Sequence, residues 1–126
     1  MDPIVTEATS HLPAINFQPD GSLSLEGRSI PENVLTFYDP LIEFGRNLTN
    51  VDVQFKVNLE YFNTATSKKL MELFKTLDAN NKIGKIMIHW HFEEGDEDCA
   101  EMGEIYEESL LRADFRYHEY AELQEP

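Results

Sequence analysis

Three neighbouring hydroxyls, Thr64, Thr66 and Ser67, precede Lys68 at the start of a helical pattern. Such a cluster could carry a phosphate. Asn63 fits the helix N-cap, because its side chain can accept a hydrogen bond from a free amide of the first turn. Thr64 then takes the first helical position, where a phosphate meets unpaired backbone N–H groups and the positive end of the helix dipole. Lys68, Met71 and Lys75 follow at spacings of four, three and four, so they lie on the stripe below Thr64. An apolar Met71 flanked by two lysines suits a contact surface that also includes Asn63 and Thr64; Met71 equally suits the edge of a core. Asn, Thr and Ser are also ordinary helix-starting residues, and on that reading the cluster only starts the helix.

His89 and His91 stand two apart on an alternating segment and project to one face, with Glu93 next in line. His-x-His with a carboxylate is a partial metal-ligand set. The same residues make an ordinary solvated strand face, and the other histidines, His11 and His118, fall in distant or edge positions. A small metal-dependent enzyme using His89, His91 and Glu93 is therefore a minor alternative. The run Glu93-Glu94-Gly95-Asp96-Glu97-Asp98 lacks the ligand alternation of a calcium loop and fits an acidic helix start. Acids around Cys99 oppose thiolate formation, which argues against a nucleophile. The chain contains no Gly-rich phosphate loop, G-x-S-x-G or Walker motif. No catalytic residue, metal or cofactor is assigned, and the chain is read as no enzyme.

The elements that must position these residues follow from periodicity. Val51, Val53, Phe55, Val57, Leu59 and Tyr61 alternate with polar residues, which predicts a strand with one buried face ending at Tyr61. Leu70, Leu73, Phe74 and Leu77 predict a helix over about 64–79, closed by Asn80 to Gly84 with Gly84 as turn residue. Residues 85–92 alternate again, Ile86, Ile88, Trp90 and Phe92 against Lys85, Met87, His89 and His91. Residues 96–111 read as a helix, and residues 115–120 as a last strand. Upstream, residues 14–17 and 22–25 predict a hairpin around Pro19-Asp20-Gly21-Ser22. Ser29 with Glu32 matches a capping box opening a short helical piece, and Asp39-Pro40 predicts a second helix over about 40–48. Residues 1–11 read as a loose lead-in. The strand–helix–strand unit of residues 51–92 implies a right-handed parallel crossover. The expected fold is an α/β two-layer sandwich, a mixed sheet with helices mainly on one face and the other face partly wet.

A length of 126 residues predicts one domain, and 41% hydrophobic content argues against disorder. A single cysteine and no signal-peptide pattern point to the cytoplasm, and no segment reads as a membrane span. Of the net charge of −14, residues 93–126 carry −11. Lys68, Lys69, Lys75, Lys82 and Lys85 cluster around the central helix and its exit. Nucleic acid is an unfavourable partner for such a surface, whereas a protein with complementary patches suits it.

Several segments together resemble the SiaC family of bacterial regulatory phosphoproteins, which are distantly STAS-like. They are Ser29-Ile30-Pro31-Glu32-Asn33, Phe37-Tyr38-Asp39-Pro40, Tyr61-Phe62-Asn63-Thr64, and Trp90-His91-Phe92-Glu93-Glu94-Gly95-Asp96-Glu97-Asp98 leading into Glu101-Met102-Gly103-Glu104. The resemblance runs from Pro13 to Tyr117. It implies a non-catalytic signalling regulator in cyclic-di-GMP and biofilm control by partner switching. The implied partners are a cognate Ser/Thr kinase, a PP2C-type phosphatase and a diguanylate cyclase or other effector. The phosphoacceptor falls on Thr64; the unmodified form binds and activates the cyclase, and phosphorylation blocks binding. The nearby Thr66 and Ser67 leave the choice of hydroxyl open. A constitutive interaction scaffold with a purely structural Thr64 is the other reading.

Overall fold

The computed structural model describes residues 1–122. Its elements are β1 (Ile4–Thr6), β2 (Ala14–Phe17), β3 (Ser22–Ser29), α1 (Val34–Asn47), β4 (Val51–Phe62), α2 (Thr64–Ala79), β5 (Ile83–Glu93), α3 (Glu97–Glu108) and β6 (Asp114–Tyr120). The six strands form one sheet in sequence order. β1, β2 and β3 pair antiparallel, and β3 to β6 run parallel. Each parallel step is bridged by one helix, so this is the expected mixed α/β sheet. Val53, Phe55, Val57 and Leu59 of β4 and Ile86, Ile88 and Trp90 of β5 are buried with Leu41, Leu70, Phe74 and Tyr106 of the helices. That shared core puts the helices on one face of the sheet. No helix among the described residues is long and apolar enough to cross a membrane.

Several local expectations are corrected. The lead-in of residues 1–11 contains β1, paired to β2. β3 runs on to Ser29, which is buried strand rather than a helix cap. α1 is a single helix capped by Asn33, whose side chain accepts a bond from the Thr36 amide at 3.1 Å. Pro40 lies inside it instead of starting a second helix. An interior proline costs about 3 kcal/mol. The buried stripe of Tyr38, Leu41 and Ile42 runs across it, and burying three large side chains outweighs that cost. Gly84 lies within β5, where the pairing with β4 shifts register. A Cβ there would stand 2.2 Å from the Asp52 carboxylate.

Tyr61 does not join the buried face of β4. Gly27 pairs with Leu59 and Arg28 with Tyr61, so Glu60 is an extra residue. This bulge reverses the alternation, turning Tyr61 outward and Phe62 toward Trp90. The Arg28 guanidinium sits over the Tyr61 ring.

α3 ends at Glu108, three residues before the expected Leu111. Its exit is fixed by Asp78 of α2, whose carboxylate accepts the amides of Leu111, Arg112 and Ala113. The Arg112 guanidinium donates to the carbonyls of Asp78, Asn80, Ile83 and Gly84. Partial burial opposes ionisation of Asp78, but the three amides and Arg112 outweigh it and hold the carboxyl below its usual range. Asp78→Ala is expected to cost about 2 kcal/mol, because three charge-assisted bonds are lost together. In urea unfolding, the wild type should lose this contribution as pH falls through the depressed folded-state pKa, and the variant should lack that loss.

Candidate functional site

The phosphate-bearing candidate lies where β4 passes into α2. Asn63 is the N-cap, accepting from the Thr66 amide through its side chain at 2.9 Å and from the Ser67 amide through its carbonyl at 3.0 Å. Thr64 is the first helical residue and is exposed. The three hydroxyls there are sorted by their surroundings. Thr66 is fully buried; its hydroxyl donates to the Ser29 carbonyl and meets the Ser29 hydroxyl at 2.9 Å. Ser29 in turn meets the buried Tyr38 hydroxyl at 2.7 Å. Ser67 is half-buried and donates to the Thr64 carbonyl at 2.7 Å. The Thr64 hydroxyl makes no hydrogen bond among the described residues, which leaves it the uncommitted one.

The turn is held from a third side by Tyr106 of α3, whose hydroxyl donates to the Ser67 carbonyl at 2.9 Å. Between the starts of α2 and α3 lies a cleft of about 310 Å³, lined by Tyr61, Asn63, Thr64, Ser67, Asp98 and Met102 among others. Asp96 caps α3 by accepting from the Cys99 amide. Cys99 is buried, and burial together with the Asp96 charge pushes its thiol up to about 12. It therefore stays protonated and unreactive at neutral pH.

Further down α2, Lys68 and Lys75 are exposed, and Met71 is half-buried against the core. Met71 thus sits at the edge of the core. The three residues line a groove of about 810 Å³ between α2 and the end of α1, together with Arg46 and Lys82.

The open sheet face carries the histidines, and here His118 overturns its expected isolation. Parallel pairing of β5 and β6 sets His118 opposite His91. Its ring stacks on His91 at 4.4 Å, and its Nε2 lies 2.9 Å from His89 Nδ1. His89 Nε2 meets the Gln54 side-chain oxygen at 2.7 Å. Both nitrogens of His89 are thereby engaged. Among the described residues, no three His, Cys, Asp or Glu side chains are placed to hold a metal ion. His89, His91 and Glu93 are therefore not brought together as a ligand set among the described residues.

Burial pushes His91 down to about 4, helped by the His118 and Lys56 charges and opposed by Glu26; His89 is also lowered, chiefly by burial. The unfolded chain takes up these protons near pH 6.5, and the folded chain resists until lower pH. Stability should therefore decline from about pH 6.5 toward 4, by about 1–2 kcal/mol for His91 after allowance for solvent screening. Urea unfolding at pH 7 and pH 5 measures this, and His91→Gln should flatten the difference.

The family model for SiaC family regulatory phosphoproteins matches residues 6–120. The chain belongs to the SiaC family. An uncharacterized protein of Pseudomonas aeruginosa strain UCBPP-PA14 is 27% identical over 92 residues, covering 70% of this chain and 73% of that protein. Apo-SiaC from P. aeruginosa has a similar structure, with a TM-score of 0.80 and 22% identity over 94% of this chain and 99% of that one. SiaC from P. aeruginosa in complex with the diguanylate cyclase SiaD, as its activator, matches with a TM-score of 0.78 and 24% identity, covering 93% of this chain and 99% of the other. The fold is thus a SiaC fold.

Sequence reasoning missed the partners of the candidate site in this SiaC-family chain. Tyr38, Tyr106 and Ser29 reach the first turn of α2 from distant elements. Their local patterns are those of helix and strand residues, and no spacing announces a contact across 37 or 39 positions.

Proposed function

We propose that this SiaC-family protein is a non-catalytic cytoplasmic regulator switched by phosphorylation of Thr64. Its unmodified form binds and activates a diguanylate cyclase, and a Ser/Thr kinase and a PP2C-type phosphatase set the modification. The observation that carries this reading is the sorting of the three hydroxyls. Thr66 is sealed in the core and Ser67 is turned back onto the backbone, so Thr64 is the group a kinase reaches without opening the fold. The exposed α2 terminus offers a favourable dipole to the product. The activator role of P. aeruginosa SiaC in its SiaD complex supports the cyclase as partner. We place the partner contact on Asn63, Thr64, Lys68, Met71 and Lys75.

A phosphate on Thr64 adds about −1.5 to −2 charge. It would compete with an acidic partner group for the helix terminus and Lys68, and would add bulk at the contact. Peptide mass spectrometry of the protein from its own cells is the direct test. Phosphate on Thr64 is the expected result; phosphate on Ser67 would move the site by three residues. No phosphate under any growth condition would favour a constitutive scaffold.

A further inference from the structure

Several cations elsewhere on the fold are consumed within it, whereas Lys85 and Arg116 form no ion pair among the described residues. Lys56 pairs with Glu26 at 2.7 Å, Lys69 with Asp39 and Glu72 at 2.8 and 3.1 Å, and Arg28 with Glu60 at 3.8 Å. Arg112 is spent on four carbonyls. Lys68, Lys75 and Lys82 form no ion pair among the described residues, and all three line the groove between α1 and α2. Arg46, paired with Glu43, stands at the same groove. Glu72, its one acidic lining residue, shares Lys69 with Asp39. A chain of net charge −14 thus keeps a groove with free positive charge around a half-buried Met71.

We propose that this groove seats an acidic amphipathic helix presented by the cyclase partner, with carboxylates on Lys68, Lys75 and Lys82 and an apolar ridge on Met71. The proposal rests on the regulator reading above and extends the contact beyond the stripe below Thr64 to the far end of α2. Charge complementarity selects the occupant. From Lys68 to the end of α2 the groove wall is about 17 Å long at 1.5 Å per residue, the length of a three-turn helix, and helix-in-groove docking uses such apolar anchors with flanking charge. A long polyanion is disfavoured, since beyond the groove it meets the acidic surface. The arrangement also explains why a phosphate at Thr64 would act against binding. It would place a dianion one turn from Lys68, which lines a groove that selects negative charge.

The test is calorimetric titration of the purified cognate cyclase with wild-type protein, Lys75→Glu/Lys82→Glu, Lys75→Gln/Lys82→Gln and Lys85→Glu, at low and moderate salt. Lys85 is exposed and outside the groove, so it controls for bulk charge. Unfolding midpoints check that each variant folds. Roughly tenfold to hundredfold weaker binding for the Glu pair, a smaller loss for the Gln pair and less than twofold for Lys85→Glu would support the proposal. Wild-type binding left intact by the groove variants, or weakened equally by Lys85→Glu, would overturn the groove and leave the regulator reading standing. No binding by unmodified wild-type protein would overturn both. Amide shifts of the labelled protein on cyclase binding should map to residues 68–82; a footprint on the histidine face would overturn the proposal.

Discussion

Thr64→Asp is expected to lower cyclase binding and activation by roughly tenfold or more, and Thr64→Ala to leave both near wild type. The argument is electrostatic and steric. Thr64 is exposed at the first position of α2 and its hydroxyl holds no neighbour in place, so alanine removes nothing the fold needs. Aspartate places a negative charge where the proposed partner brings its own, and a like-charge contact at an interface costs several kcal/mol. A phosphate carries more charge than aspartate, so the phosphorylated protein should bind more weakly still. The Asp variant should fold as well as wild type, because acids near a helix N-terminus are favourable. Loss of binding would then report the interface rather than unfolding. Equal cyclase affinity for the Asp and Ala variants would remove Thr64 from the switch. The same substitutions at Thr66 should behave differently: Thr66→Asp buries a charge beside Ser29 and Tyr38 and should unfold the protein.

Gly103→Val should cost about 3 kcal/mol in urea unfolding. Gly103 is a buried helical glycine in α3, packed flat against β5 and β6. A Cβ there would stand 2.6 Å from Trp90 Cδ1, 2.8 Å from its Nε1 and 2.9 Å from Tyr117. The Trp90 ring cannot yield. It is fully buried, its Nε1 donates to the Cys99 carbonyl at 2.9 Å, and Phe62, Phe74 and Tyr106 pack edge-on around it. Alanine would recover about 1 kcal/mol of helix propensity and should be destabilising by less. Valine adds two further methyls and recovers less propensity than alanine. The relief available is to lift α3 from the sheet, which also withdraws Tyr106 from the Ser67 carbonyl and loosens the first turn of α2. Gly103→Val should therefore weaken cyclase binding as well as stability. A stability within 0.5 kcal/mol of wild type would show that the helix has room to shift.

The sequence was most informative where structure is local. The alternation of residues 51–59 and 86–92 and the stripe Leu70, Leu73, Phe74, Leu77 reported one buried face each, because side-chain direction follows from the period of strand or helix. The Asn63 cap and Thr64 at the first helical position were legible for the same reason, since capping is a matter of three or four consecutive residues. Local signals misled where packing outweighed them. Ser29 and Glu32 satisfy a capping-box pattern, but Ser29 gains more as a buried strand residue bonded to Tyr38 and Thr66. Pro40 looks like a helix start, yet the apolar stripe on either side carries one helix through it. Tyr61 continues the alternation on paper, and the extra residue at Glu60 turns it outward.

By itself, the sequence determined the fold class, the family and the place of a hydroxyl cluster at the start of a helix. All three are written in short runs of residue type and spacing. The tertiary structure decided which hydroxyl is free, that His118 joins His89 and His91, and that Lys82 and Arg46 complete a groove begun by Lys68 and Lys75. These depend on strand pairing, on register and on helices meeting across a sheet. They join residues such as Ser29 and Thr66, His89 and His118, and Ser67 and Tyr106, 29 to 39 positions apart, and the chain carries no local record of such contacts because their energy exists only once the elements are packed.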